Sequence, residues 1–439
     1  MRSLPLRAGI AIVAFALAVV PAAGQEPSPD PADPDQPRDE IRRPPRGDQP
    51  EEAVRGDPYG TRLGGKLNLV ARGGGTQATE AAVLAALRWL ARHQSADGSW
   101  SAERYHAQCV DSPCSGAGYA EYDTALTGLS LLAFLGSGYT PLSGEEIGDP
   151  ATGKVLDFGT VVNRGVRWLL SQQQPDGAVG PRVSKQMYNH AIATLALSEA
   201  FGMTQSASLQ EPAQRAVDYL VAAKNPSRGW RYSPRCGDSD SSVTSWCVMA
   251  LKSAGMSGLQ VDRTAVKEAR SFLHDVTEPT HGKSGYMRME DAGVKVVVQG
   301  KNEDFANHEA LTAIGMCVRI FANEGAQDPM LDLGARTLVC DLPVWDKVKK
   351  TNDYYYWYYG TLALFQFDGP GPGRSAKYWK AWNKAMVDAL VRNQHAISSG
   401  CKDGSWDSDD RWGFEGGRVY AVALNALSLE VYYRYSNGK

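Results

Sequence analysis

From residue 76 onward, apolar residues recur at helical spacing in two alternating styles. In the first, a single stripe such as Val83, Leu84, Leu87 and Leu90 runs along an otherwise polar segment. That pattern predicts a helix with one buried face. The stripe closes on Trp89-Leu90-Ala91-Arg92-His93-Gln94-Ser95-Ala96-Asp97-Gly98-Ser99-Trp100, where Asp-Gly is turn chemistry that stops a helix. In the second style the segment is apolar on every side: Ala125 to Leu135, Ala191 to Ala200, Trp246 to Ala254, Ala310 to Phe321, Thr361 to Phe367 and Ala421 to Val431. Such helices are buried on every side, so the striped ones must lie outside them. Six striped–apolar pairs joined in one sense predict an all-α closed ring, six inner helices wrapped by six outer ones. The fifth outer helix is expected near Met330 to Val339.

The unit at the end of the striped helices repeats. Trp168-Leu169, Gln173, Asp176-Gly177 and Val179 form a second copy, and Tyr219-Leu220, Lys224 and Gly229-Trp230 a third. Phe272-Leu273 with Gly285-Tyr286 is a weaker fourth copy. Leu390, Gln394 and Asp403-Gly404-Ser405-Trp406 form the last. Repeats of this kind precede any other reading of the fold. All inner helices run the same way, so their N-termini meet at one mouth, where unpaired N–H groups and partial positive charge collect. That mouth is the expected functional surface.

The N-terminal quarter is different. Arg2 and Arg7, the apolar run Ile10 to Val20 and the small residues Ala22-Ala23-Gly24 predict a signal peptide over 1–24. Export to a periplasmic, extracellular or cell-envelope compartment is therefore expected. Residues 25–58 hold 9 of the 24 prolines among charged residues, too little apolar surface to fold. We expect a disordered Pro/Asp-rich linker over 25–75 and the ring over 76–439. A net charge of −3 argues against nucleic-acid partners. No second apolar run reaches membrane length, so the mature chain is expected to lack a transmembrane segment; contact with a membrane surface is left open.

The Trp-Leu-x3-Gln-x3-Gly-x-Trp unit resembles the QW repeat of squalene and hopene cyclases. The doubled ring resembles the α/α-toroid shared by terpenoid cyclases and protein prenyltransferase β-subunits. The resemblance spans about residues 76–439 and is specific for fold rather than activity. Triterpene cyclases of this type have two barrels, and this chain has length for one. The chain therefore looks like a single-barrel, exported prenyltransferase/squalene oxidase repeat protein. Independently of any family, a Trp stacked on a Gln that bonds a neighbouring helix is a staple between repeats, so Gln94, Trp100, Gln173 and Trp406 read as structural.

The resemblance implies where chemistry would sit. Cyclases of this class carry an acid in Asp-x-Asp-Asp-Thr-Ala at an inner-helix start. Here Glu121-Tyr122-Asp123-Thr124-Ala125 keeps the Asp-Thr-Ala end, with Tyr122 at the donor position and Asp123 at the auxiliary one. In Asp238-Ser239-Asp240-Ser241-Ser242-Val243-Thr244 the donor falls on Asp240 or on Ser242, depending on register. Asp123 and Asp240 are thus the candidate catalytic residues, although Asp240 also reads as a helix N-cap. The prenyltransferase zinc pattern is absent: Asp111-Ser112-Pro113-Cys114 is one residue too long, and the segment that would supply His reads Tyr354 to Tyr359. Candidate ligand-binding residues are Tyr122, His190, Trp246, His308, Tyr356, Trp357 and Tyr420, which predict an apolar, aromatic cavity. His190 and His308 could equally bond neighbouring carbonyls. No cofactor and no metal site are expected.

Three readings follow. The first is a toroid that binds an apolar molecule, isoprenoid or triterpenoid in kind, or a protein partner. The second is a terpenoid cyclase or isomerase with a degenerate acid motif. The third is a glycan-binding or glycan-cleaving toroid, which needs two carboxylates facing one site. Its candidates at the mouth are Glu121, Asp123, Asp238, Asp240, Glu309, Asp353 and Glu415. Of the seven cysteines, Cys109 and Cys114 are expected to form a small disulfide, and Cys247 and Cys317 to be core thiols.

Overall fold

The computed structural model describes residues 58–63, 66–110, 113–291, 297–298, 301–302, 309–322, 328–347 and 352–434. The expected signal peptide and most of the expected linker lie outside these residues. Two short helices come first, α1 (Gly60–Leu63) and α2 (Lys66–Gly73). Six pairs follow, each an outer helix and then an inner one. They are α3 (Gln77–Arg92) with α4 (Asp123–Gly136), α5 (Phe158–Ser171) with α6 (Gln186–Thr204), and α7 (Ala207–Ala222) with α8 (Ser241–Met256). The second half has α9 (Arg263–Asp275) with α10 (Ala310–Phe321), α11 (Pro329–Leu338) with α12 (Tyr354–Asp368), and α13 (Lys377–Val391) with α14 (Gly413–Leu429). A last turn, α15 (Val431–Arg434), ends the described chain. Each inner helix packs on the next, and α14 packs on α4, which closes the ring. The fold is an all-α α/α-toroid. No described helix is long and apolar enough to cross a membrane.

The sequence dictates the layering. In α4 every residue from Thr124 to Gly136 is buried, whereas α3 buries one stripe that includes Val83, Ala86, Leu87 and Leu90. Polar residues start the helices by accepting the free N–H groups of the first turn. Thr76, Asp157, Asp240, Asp262, Asp328 and Asp353 all do this through their side chains. A hairpin of β1 (Glu146–Asp149) and β2 (Lys154–Asp157), with Glu146 opposite Asp157, fills the crossing from α4 to α5.

The turn residues tie the repeats together. Gln94 Nε2 donates to Gly98 O and to Val161 O of α5, both at 2.9 Å. Gln173 repeats this to Gly177 O and Pro212 O, and Gln394 to Gly404 O and Ala82 O. The indoles act through their N–H groups: Trp100, Trp230 and Trp406 donate to the Leu90, Leu220 and Leu390 carbonyls at 2.7–2.9 Å. Each indole thus gives a donor to a carbonyl in the last turn of an outer helix. Gly98 and Gly177 hold φ of 98° and 92°, and a Cβ there would collide with the Arg164 and Arg215 carbonyls. Only glycine suits both constraints.

The ring begins earlier than residue 76. Tyr59 is buried and bonds Ser257 Oγ at 2.8 Å, and Arg62 Nη1 meets Glu199 at 2.6 Å. Gly73 O accepts from the Trp379 indole at 2.7 Å. The polar look of 58–75 hid this packing, because its anchors are single residues rather than an apolar stripe.

Candidate functional site

The inner-helix N-termini surround a cavity of about 380 Å³. Its inner part is apolar, formed by Leu126 and Leu129 of α4, Ile192 of α6, Ile314 of α10 and Leu424 of α14. Aromatic residues make the wall: Tyr122, Tyr188, Tyr232, Trp246, Tyr286, Tyr355, Trp412 and Tyr420. Lys185, Arg231, Arg411 and Glu415 supply charge from the loops and helix starts of the mouth. Burial pushes the phenols of Tyr122, Tyr286 and Tyr355 up, so they stay neutral hydroxyls.

The wall is cross-linked by its own hydroxyls. Tyr188 Oη bonds Ser242 Oγ at 2.8 Å, and Ser242 Oγ bonds Tyr355 Oη at 2.6 Å. The Trp246 indole N–H donates to the same Tyr355 oxygen at 2.8 Å, while its ring stacks on Tyr358. Tyr232 and Tyr286 pair through their hydroxyls at 2.6 Å. Lys185 holds both oxygens of Glu415, at 2.9 and 3.0 Å, and lies over the Tyr122 ring. Arg411 bonds Asp353 at 3.1 Å. The Tyr420 hydroxyl is buried on the wall with no hydrogen-bond partner among the described residues. Such a group has a cost that a polar atom of a ligand would relieve.

Of the residues expected to bind ligand, Tyr122, Trp246 and Tyr420 line this cavity. His190 does not. It is fully buried behind the wall, where Nδ1 accepts from Val179 N at 3.0 Å and Nε2 donates to Ala216 O at 3.0 Å. Burial lowers its pKa to about 4, so it is a neutral strut. Tyr356 and Trp357 also miss the cavity. Tyr356 Oη donates to Asp341 O at 2.7 Å, towards the outer layer, and Trp357 packs on Trp345 and Tyr354. The inward residue of that block is Tyr355, one helical step away. His308 lies outside the described residues.

Neither candidate acid lines the cavity. Asp123 Oδ1 accepts from Ala102 N at 2.7 Å and braces the preceding loop. Asp240 caps α8, with Oδ1 accepting from Val243 N at 2.8 Å. Its Oδ2 is buried 4.0 Å from Arg231 Nε, with Tyr286 as a further neighbour. Burial lifts its pKa from 3.8 to about 7. Ser242, Arg231 and Tyr286, which line the cavity, are also neighbours of this carboxyl. The expected Cys109–Cys114 disulfide is not formed; both thiols are free. Instead the two sulfurs converge with Cys401 on the Nε2 of His93.

No protein-family model matches the chain, and no curated protein matches it in sequence. Solved structures do. An unsaturated glucuronyl hydrolase from Bacillus sp. GL1 superposes with a TM-score of 0.54 at 12% identity, over 82% of this chain and 100% of that one. An α-1,6-mannanase of Salegentibacter gives 0.50 at 10% identity, over 82% and 98%. A type II terpene cyclase from Scytonema gives 0.49 at 13%, over 81% and 97%. The hydrolase and the mannanase, at identities this low, speak for the toroid fold alone.

Proposed function

We propose that this toroid, exported by its N-terminal segment, binds an amphipathic molecule of isoprenoid type in the central cavity. The observation that carries the reading is the cavity itself: an apolar interior open at one end, under a tyrosine and tryptophan wall, with charged side chains contributed from the mouth. A mostly apolar pocket with a few placed polar groups is the usual form of a small-molecule site. Its volume of about 380 Å³ lies within the usual range of small-molecule sites, which suits an apolar isoprenoid body. The ligand's polar end would meet the Tyr420 hydroxyl and the guanidinium groups of Arg231 and Arg411. The test is mass spectrometry of an organic extract of protein purified from its native compartment. It is paired with titration of farnesol against the intrinsic fluorescence of the wild type, with its 11 tryptophans, Trp246 among them, and of Leu126→Trp, each compared with its own ligand-free signal. A stoichiometric prenoid, or saturable quenching lost in Leu126→Trp, supports the reading. No extractable lipid and no quenching would sink it and shift weight to a protein partner.

A second reading, proton-transfer chemistry of the cyclase or isomerase kind, is favoured by Asp240. Such chemistry needs a protonated carboxyl, which Asp240 supplies up to about pH 7, although it does not itself line the cavity. Loss of product in Asp240→Asn with the fold intact would single it out. Glycan cleavage finds less support: among the described lining residues Glu415 is the one carboxylate, and Lys185 holds it.

A further inference from the structure

Away from the cavity, four side chains from three distant segments aim at one point. His93 is the C-cap of α3. Cys109 and Cys114 lie in the loop that leads from α3 to α4, and Cys401 lies in a 3-10 turn (Ile397–Lys402) between α13 and α14. The Nε2 of His93 is 3.5 Å from Cys109 Sγ, 3.8 Å from Cys114 Sγ and 3.3 Å from Cys401 Sγ. All four atoms lie within 4.8 Å of one another. A tetrahedral zinc with Zn–S near 2.3 Å and Zn–N near 2.0 Å has N···S and S···S edges of about 3.5–3.8 Å. The three measured separations fall on or close to that edge length.

The surroundings complete the arrangement. His93 Nδ1 donates to Trp89 O at 2.7 Å, and its ring stacks on Trp89 at 4.0 Å. That bond fixes the tautomer and leaves the Nε2 lone pair facing the sulfurs, which is how metal-bound histidines are oriented. Cys109 Sγ accepts the Cys114 N–H at 3.2 Å, which holds that sulfur in place. Gly400, with φ of 60°, turns the chain just before Cys401.

We propose that His93, Cys109, Cys114 and Cys401 bind one Zn²⁺ as a closed structural site that fastens the last repeat to the first. Four protein ligands leave no open position, so the role is structural rather than catalytic. On binding, the three thiols release their protons to solvent and the imidazole coordinates as the neutral base. The centre then carries one net negative charge. In the same loop, Gly116 O accepts from Arg418 N, and Tyr119 N donates to Glu415 O, both at 2.8 Å. The metal would therefore also steady the start of α14 and the approach to Tyr122.

An oxidising compartment offers the rival outcome, a Cys109–Cys114 disulfide, and the experiment separates the two. Full-length protein is purified without reductant or chelator. Metal content is measured by elemental mass spectrometry, and cysteine state by non-reducing peptide mapping. The expected result is about one zinc per chain, with Cys109, Cys114 and Cys401 free in the map. Cobalt exchanged into the wild type should give thiolate-to-cobalt charge-transfer bands of a tetrahedral site. Cys401→Ser should lose the metal, and Cys236→Ser, an exposed thiol outside the cluster, should keep it. The cobalt spectrum decides the matter if Cys401→Ser does not fold. Metal-free protein, whether disulfide-linked or with reactive thiols, overturns the proposal, as does metal retained in Cys401→Ser.

Discussion

Asp240 imposes a cost that pH switches on, and Asp240→Asn removes it. The carboxyl is fully buried, accepts the Val243 N–H at the start of α8, and turns its second oxygen towards Arg231 at 4.0 Å. Burial lifts its pKa from 3.8 to about 7, against smaller lowering effects from the Val243 N–H and Arg231. A carboxyl whose folded pKa exceeds its unfolded one stabilises the fold fully below the unfolded value. That contribution drains away as the pH rises, and it is gone once the folded value is passed. The window here runs from about pH 4 to about pH 7. At about 1.4 kcal/mol per pH unit the whole effect is worth about 4 kcal/mol. Asparagine keeps an oxygen for the Val243 N–H and never ionises, so its own stability lacks this slope. Urea unfolding of both proteins between pH 4 and pH 8.5 should show the variant gaining on the wild type by roughly 3–4 kcal/mol, with the gain levelling off above pH 7. Every other titrating group cancels in the difference. A gap that does not change with pH, or a variant that loses ground as pH rises, would refute the claim that desolvation governs this carboxyl.

Three further outcomes can be checked. His190 is held neutral with its pKa lowered to about 4, so it contributes stability above pH 6.5 that is lost as the pH falls towards 4. Its ring nitrogens in an NMR spectrum at pH 5.5 should show a neutral Nε2–H tautomer, and an imidazolium there would contradict the buried strut. Gln394→Leu removes the bonds to the Ala82 and Gly404 carbonyls, leaves the latter without its amide donor, and should lower stability by about 1–3 kcal/mol in urea unfolding; a neutral result would show that the two bonds contribute nothing net. Glu199 sits between Arg62 at 2.6 Å and Arg434 at 3.0 Å, all three fully buried, so Glu199→Gln should cost about 3–5 kcal/mol, and an unchanged midpoint would refute the pairing.

The ring and the direction of its inner helices were legible because period and polarity alternate along the chain, and the Asp240 cap was legible from local chemistry alone. The aromatic wall was legible only in part. In the block Tyr354 to Tyr359 every residue is apolar or aromatic, so no pattern separates the inward Tyr355 from Tyr356, which a turn of about 100° sends outward. His190 looked like a ligand because the carbonyl it bonds belongs to α7, far enough in sequence to be invisible. The cysteines misled for the same reason. Cys109 and Cys114 are near neighbours that suggest a disulfide, while His93 and Cys401, the residues that change their meaning, are 308 positions apart.

That separation marks the weak point of any closed ring. Consecutive pairs are joined by the chain, so each forms beside a tethered neighbour, as in open repeat proteins. The sixth pair must find the first without that help. Closing a loop of 308 residues costs about 5 kcal/mol in chain entropy. The fasteners across the seam are dense: Arg92 to Asp403 O at 2.6 Å, Gln394 to Ala82 O at 2.8 Å, Tyr119 N to Glu415 O at 2.8 Å and Trp379 to Gly73 O at 2.7 Å. A structural zinc is worth about 10–16 kcal/mol in small peptides, more than the closure cost, so metal loss should act on the seam before it acts on the ring. Hydrogen exchange on chelated protein should show protection lost first at 113–119 and 395–406, with the amides of α6 and α8 unaffected. Loss spread evenly over all six pairs would mean that the seam is not a separate unit, and that the cluster at His93 contributes to stability without governing closure.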